Sequence, residues 1–161
     1  MSNSIEFDEK RGEVRLLGSR QMVIDMDALC SHLDTLVGNQ VSEVIVKNLE
    51  LQEGKEEADR FLSSHPDAKV EEFIELMKRY DALSGVGITT VKLSENQDGP
   101  IFIEIANPYI KRTKGSSKSL LFSWWCGVLS GILHRELDLE SITYDASSDV
   151  LRCTIIPRIL K

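Results

Sequence analysis

The sequence is short of most features that would place it quickly. Aromatic side chains make up only 6% of its 161 residues, there are four prolines and three cysteines, and 26 acidic residues outnumber 19 basic ones. Each shortage excludes something. Cys30, Cys126 and Cys153 are widely spaced and form no Cys-x-x-Cys pair, so neither a zinc knuckle nor a thioredoxin-type redox pair can be built. They read as reduced thiols, at least two of them buried, because free cysteine behaves as a small core hydrophobe. A net charge of −7 repels phosphate backbones and anionic lipid, which argues against nucleic acid and membrane surfaces as partners. The longest apolar-rich stretch, Leu120 to Leu133, contains Ser123 and Ser130 and falls short of the ~20 residues of a spanning helix. The opening MSNSIEFDEK has neither the basic start nor the apolar run of a secretory signal. The expectation is a soluble, cytoplasmic chain with no membrane span.

What is present fits a globular protein. Hydrophobic residues at 42% and charged residues at 28% suit a folded chain, and residues 1–161 match the length of one domain. Ile5 to Ile24 reads as short strands around a turn at Gly12, with Met22-Val23-Ile24 as the last apolar piece. Asp25 and Asp27 open a helix that places Leu29, Leu33 and Leu36 on one face and stops at Gly38-Asn39. Val41, Val44, Ile45 and Leu49 follow helical spacing, so residues 40–64 are predicted helical, with Gly54 as a close helix contact. Val70, Phe73, Ile74, Met77 and Leu83 stripe a further helix ended by Gly85 and Gly87. Residues 88–93 and 101–106 alternate as a hairpin, with Ile101, Ile103 and Ile105 on one face. The most apolar helix spans about 117–136, and strands at 141–144 and 150–156 follow it. The fold class is α+β: an antiparallel sheet packed against helices, one of them long, buried and glycine-containing. Gly127 and Gly131 are four apart on that helix and are predicted to touch the sheet closely.

A search for catalytic constellations finds none of high specificity. His32, His65 and His134 belong to no His-x-x-x-His pair, although His134 could pair with Glu136 at the end of the apolar helix. Glu56-Glu57 and Glu71-Glu72 read as solvated faces, because adjacent helical residues point apart. Gly85-Val86-Gly87 has the wrong order of elements for a dinucleotide loop, and KGSSK at 114–118 is a flexible loop or a simple anion site at a helix mouth. Phe122, Trp124, Trp125 and Leu129 are the candidate ligand-binding residues, as core aromatics able to line an apolar cavity.

Four stretches, in order, resemble the 4-vinyl reductase domain, a small-molecule-binding fold related to TRAPP-type tethering subunits. They are EFDEKRGEVRLLGSRQMVI at 6–24, ALSGVGITTVKL at 82–93, LFSWWCGVLSGIL at 121–133 and ITYDASSDVLRCTI at 142–155. The resemblance implies a domain that binds a small, often hydrophobic molecule such as a hydrocarbon, is frequently homodimeric and acts as a sensor. Many members carry a cysteine cluster toward the C-terminus. Here Cys153 matches its last position, Ile142, Asp145 and Asp149 replace others, and Phe122 falls near the helix cysteine position. Asp145 with Cys153 would need two more ligands to hold zinc, so no metal is expected. No cofactor is expected either, since nothing supplies a flavin or nicotinamide site, and the chain is read as a binding protein rather than an enzyme. The other readings are a ligand-free dimerising module and an accessory protein of tetrapyrrole vinyl reduction.

Overall fold

The structure is a computed structural model that describes residues 5–8, 10–11, 13–21, 25–96, 98–109 and 117–158. Two antiparallel sheets and four helices make up the described residues. The first sheet is a small meander of β1 (Ile5–Asp8), β2 (Glu13–Leu16) and β3 (Ser19–Gln21). The expected turn glycine Gly12 and the apolar piece 22–24 lie outside the described residues. The helices α1 (Met26–Val37), α2 (Asn39–Ser64) and α3 (Val70–Ser84) follow. The hairpin β4 (Ile88–Lys92) and β5 (Ile101–Ala106) leads to α4 (Ser117–Ile132), and β6 (Leu137–Asp145) and β7 (Val150–Pro157) close the chain.

The second sheet has the order β4-β5-β7-β6, every pair antiparallel. Its register brings apolar residues opposite one another: Ile101 faces Ile155, Ile103 faces Cys153, and Ile105 faces Leu151. All six are buried. Period-two alternation sends them to one side of the sheet and leaves Phe102 exposed on the other. Each fully buried isoleucine contributes roughly 1.5–3 kcal/mol through area removed from water. Against this layer lies α4, whose residues from Phe122 to Ser130 are all buried.

Helix boundaries follow local chemistry. The Asp25 carboxylate accepts the Ala28 N–H at 3.0 Å and caps α1. Gly38 breaks the chain between α1 and α2 at φ 82°, and α2 then runs helical throughout, as its spacing predicts. Gly85 ends α3 in the left-handed region, its N–H returned to the Asp81 carbonyl. The end of α4 differs from expectation. It stops at Ile132 rather than near 136, with His134 at φ 51° and the Arg135 N–H bonded to the Ser130 carbonyl. The physical reason is Leu137, which must be extended to enter the sheet opposite Pro157, where it is buried. Glu136 consequently pairs with Lys55 of α2 at 2.9 Å instead of with His134.

The second difference concerns what the glycines touch. Gly127 and Gly131 pack on α2, not on the sheet. A Cβ on Gly127 would lie 2.1 Å from the Leu51 carbonyl oxygen, and one on Gly131 would lie 2.5 Å from the Ala58 Cβ. Reciprocally, a Cβ on Gly54 would lie 2.2 Å from the Trp124 carbonyl oxygen. Residues 51, 54 and 58 thus meet 127, 124–128 and 131 in ascending order, so α2 and α4 run parallel with their backbones in contact. The sheet receives the opposite face of α4.

The third difference is at α1 and the start of α2. Leu29, Leu36, Val41, Val44, Ile45 and Leu49 keep their helical spacing but are exposed, as is Leu83 at the end of the α3 stripe. The side chains turned inward there are Cys30, Ser42 and Val46, with Leu120 of α4.

The α2–α4 contact yields a direct expectation. Gly127→Val must separate two backbones that touch, and should lower stability by roughly 1–3 kcal/mol or more. A urea unfolding midpoint matching the parent's would show that the helices do not approach as described.

Candidate ligand site

The site is built on α4, which apolar residues hold between α2 and the sheet. Phe122, Trp125 and Leu129 are spaced i, i+3 and i+7, so they share one helix face. All three are fully buried in one cluster with Phe73 and Met77 of α3 and the isoleucines of β5. Trp124 is turned about 100° away by the helical repeat and meets Tyr80 of α3 with ring centroids 6.0 Å apart. Its ring also stands edge-on to Trp125 at 5.5 Å. The structure therefore gathers three of the four aromatic and aliphatic candidates on one face and sets Trp124 at the edge.

A carboxylate that sequence reasoning missed lies at the centre of this apolar region. Asp81 is 3% exposed. Its Oδ2 accepts from the Trp125 indole Nε1 at 2.8 Å and from the Thr89 hydroxyl at 2.5 Å. Three elements, α3, β4 and α4, are thereby tied at one oxygen. Among the described residues no donor reaches Oδ1 and no basic side chain pairs with the group. Burial pushes Asp81 up to about 6 from 3.8, against the opposing pull of the Thr89 and Trp125 hydrogen bonds. A signal was present in the sequence: Asp81 follows Phe73 and Met77 at i+8 and i+4, a charge placed in the apolar stripe of α3.

Other polar groups surround the aromatic edge. Burial, followed by the nearby Glu57, Glu53, Asp81 and Glu50, raises the Tyr80 phenol to about 12 and keeps it a hydrogen-bond donor. Glu57, its side chain 1% exposed, is bonded to Arg60. Burial and then Glu53 raise Glu50 to about 7. Among the described residues the Ser123 hydroxyl, buried on α4, has no hydrogen-bond partner.

The thiols sit apart from any reactive arrangement. Cys30, Cys126 and Cys153 are all buried and unpaired in disulfides. Burial drives Cys126 up to about 12 and pushes Cys153 up as well. Asp145 points elsewhere. It is bonded to Ser147, Ser148 and Arg152, and Arg152 lies on the opposite face of β7 from Cys153. Among the described residues no three His, Cys, Asp or Glu side chains gather as metal ligands. Residues 110–116, which include most of the basic loop before α4, lie outside the described residues.

Comparison with solved structures places this arrangement. The phenol-responsive sensory domain of the transcription activator PoxR, crystallised with phenol, superposes at a TM-score of 0.72 and 12% identity. That match covers 97% of this chain and 86% of that one. A vinyl-4-reductase family protein from Methanocaldococcus jannaschii superposes at 0.54 and 15% identity, over 86% of this chain and 85% of that one. This chain has a 4-vinyl-reductase-like fold. A trafficking protein particle complex subunit 3 from Naegleria fowleri, covalently bound to palmitic acid, shares the 4-vinyl-reductase-like fold at 0.53 and 12% identity. It matches over 83% of this chain and 90% of that one. Protein-family models and curated sequences give no match. No described helix is long and apolar enough to cross a membrane.

Two expectations follow. Burial raises the Asp81 pKa in the folded state, so between pH 3.8 and about 6 the folded protein holds a proton that the unfolded chain has released. Its contribution is neutral at low pH, and stability falls as pH rises through that window, by up to roughly 3 kcal/mol. Asp81→Asn, which still offers an oxygen to Thr89 and Trp125, should gain stability over the parent across this window and hold that gain above it. Urea midpoints measured against pH for both proteins test this, and parallel curves would refute it. The thiols should resist an aromatic disulfide reagent in the folded protein and all three should react in denaturant. A fast-reacting thiol under native conditions would contradict their burial.

Proposed function

We propose that this domain binds a small, mainly apolar molecule between α4 and the sheet and acts as a ligand-binding sensor, as a homodimer. The observation that carries the reading is Asp81: a buried carboxyl with one oxygen open, bonded through the other to Trp125, which shares a helix face with Phe122 and Leu129. Such a group is a costly thing to bury for packing alone, since a charge out of water needs a partner. An apolar body with one hydrogen-bond donor suits it. The apolar walls take the body, and the open oxygen takes the donor. A ligand ending in a carboxylate is disfavoured, because its charge would meet that of Asp81 at neutral pH. The fold likeness supports the reading, since one structural neighbour is a sensory domain crystallised with phenol and another carries palmitic acid. Phe122, Trp124, Trp125 and Leu129 line the site, and Asp81 orients the ligand.

The test uses melting of the parent and of Trp125→Ala with a panel of apolar compounds that do or do not carry a hydroxyl or amine. Removing the buried indole should cost roughly 3–5 kcal/mol. A compound that binds only the folded state should restore part of that loss by mass action and should raise the parent's melting temperature as well. Hydroxyl-bearing members should outperform matched hydrocarbons, and Asp81→Ala should erase the difference. A panel that shifts neither protein would leave α4 as plain core and remove the sensor reading.

A further inference from the structure

Asp81 is short of a counter-charge as well as of a second donor. On α4 no residue from Leu120 to Ile132 is charged. On α3 the Lys78 ammonium is held by Glu75 at 2.6 Å, and Arg79 is exposed. Lys92 of β4 and Arg152 of β7 stand on the outer face of the sheet, both turned to Glu104. On α2, Lys47 and Lys55 reach Asp138 and Glu136, and Arg60 is bonded to Glu57. Among the described residues, every basic side chain of α2, α3, β4 and β7 is thus paired elsewhere or in solvent.

The acidic side is left unbalanced. Tyr80, next to Asp81 on α3, stands in the field of Glu57, Glu53, Asp81 and Glu50, in falling order. Arg60 offsets only Glu57 and Glu56. Glu50 is half-buried and has no bonded partner among the described residues. Asp81, at about 6, is mostly ionised at neutral pH. A buried carboxylate with no cation beside it is among the most costly arrangements a fold can hold. A neutral hydroxyl gives it a hydrogen bond but leaves the charge standing. An ammonium neutralises the charge and makes a charge-assisted bond. The carboxylate is already out of water in the folded chain, so only the ammonium is desolvated on binding. Aromatic faces such as those of Phe122 and Trp124 offset part of that loss, because a ring attracts a cation.

We propose that the ligand of this site is an apolar amine, its ammonium seated on the open oxygen of Asp81 and its hydrocarbon body between α4 and the sheet. The proposal rests on the ligand-binding reading above and names the class of its ligand. It ranks primary and secondary amines ahead of alcohols and phenols, and carboxylic acids last.

Calorimetric titration of the full chain at neutral pH with benzylamine, benzyl alcohol and toluene decides the matter, since the three share a benzyl frame and differ in the polar group. Benzylamine should bind roughly tenfold or more tighter than benzyl alcohol, and the alcohol tighter than toluene. Asp81→Asn, which keeps the shape and removes the charge, should bring the amine down to the level of the alcohol. Glu71→Gln, which removes one charge from an exposed position of α3, should leave the ratio unchanged. An amine that binds no tighter than a bound alcohol overturns the amine and leaves the apolar-ligand reading standing. No binding by any of the three removes the proposal together with the reading it rests on. An amine preference that survives Asp81→Asn, or that falls equally in Glu71→Gln, reports attraction to the acidic surface at large and overturns the seat at Asp81. Should Asp81→Asn lose its cooperative melt, the parent's amine-to-alcohol ratio at low and high salt takes its place. Salt screens exposed charges far more than a buried pair, so a ratio that persists supports the proposal and one that collapses overturns it.

Discussion

Backbone contact between α2 and α4 is the constraint on which the other features depend. Glycine at 54 and 127, and small residues at 58 and 131, remove the side chains that ordinarily hold helices 8–10 Å apart. Once α4 lies that close to α2, its remaining circumference is covered by the sheet and α3, and its large side chains have only one way to point. Phe122, Trp125 and Leu129 fill the space against the isoleucines of β5, and Trp124 is left at the edge beside Tyr80. The same contact fixes the rotation of α2. It therefore also fixes which of its residues face outward.

Asp81 converts this packing into something with chemical character. A carboxyl at the close of α3, bonded to β4 and α4 through one oxygen, is a polar joint inside an apolar layer. In a medium of low dielectric each of its interactions is amplified, and so is the penalty for leaving its charge without a partner. That makes it responsive both to protons and to any donor brought to its open oxygen. A domain that senses a ligand needs such a point, where a small binding event is felt by three elements at once.

Much of the architecture could be read from the residues. Periodicity located α2 as one continuous helix despite its valines, the isoleucine alternation located β5, and Gly38 and Gly85 located helix ends. The resemblance in four ordered stretches pointed to a fold that the structure has. The misreadings share a cause, which is that spacing along one element does not say what stands opposite. Gly127 and Gly131 were legible as a close contact, yet their partner was α2 rather than the sheet. Leu36 on α1, and Val44 and Leu49 on α2, were legible as parts of helical apolar stripes, yet all three look outward. Asp81 was passed over because a single acidic residue in a helix ordinarily reaches solvent.

What the sequence determined by itself was local: where the helices begin and where all but α4 end, which residues alternate, which helix is apolar all round, and that the cysteines form no motif. These depend on backbone preference and on periods of two and 3.6, which act over a few residues. Tertiary structure alone decided which face of each element meets which neighbour. It brought Asp81, Thr89 and Trp125 together from positions up to 44 residues apart, parted Asp145 from Cys153, and left the first turns of α2 uncovered. Those outcomes follow from close packing and from the satisfaction of buried polar groups, which are settled between elements distant in the chain.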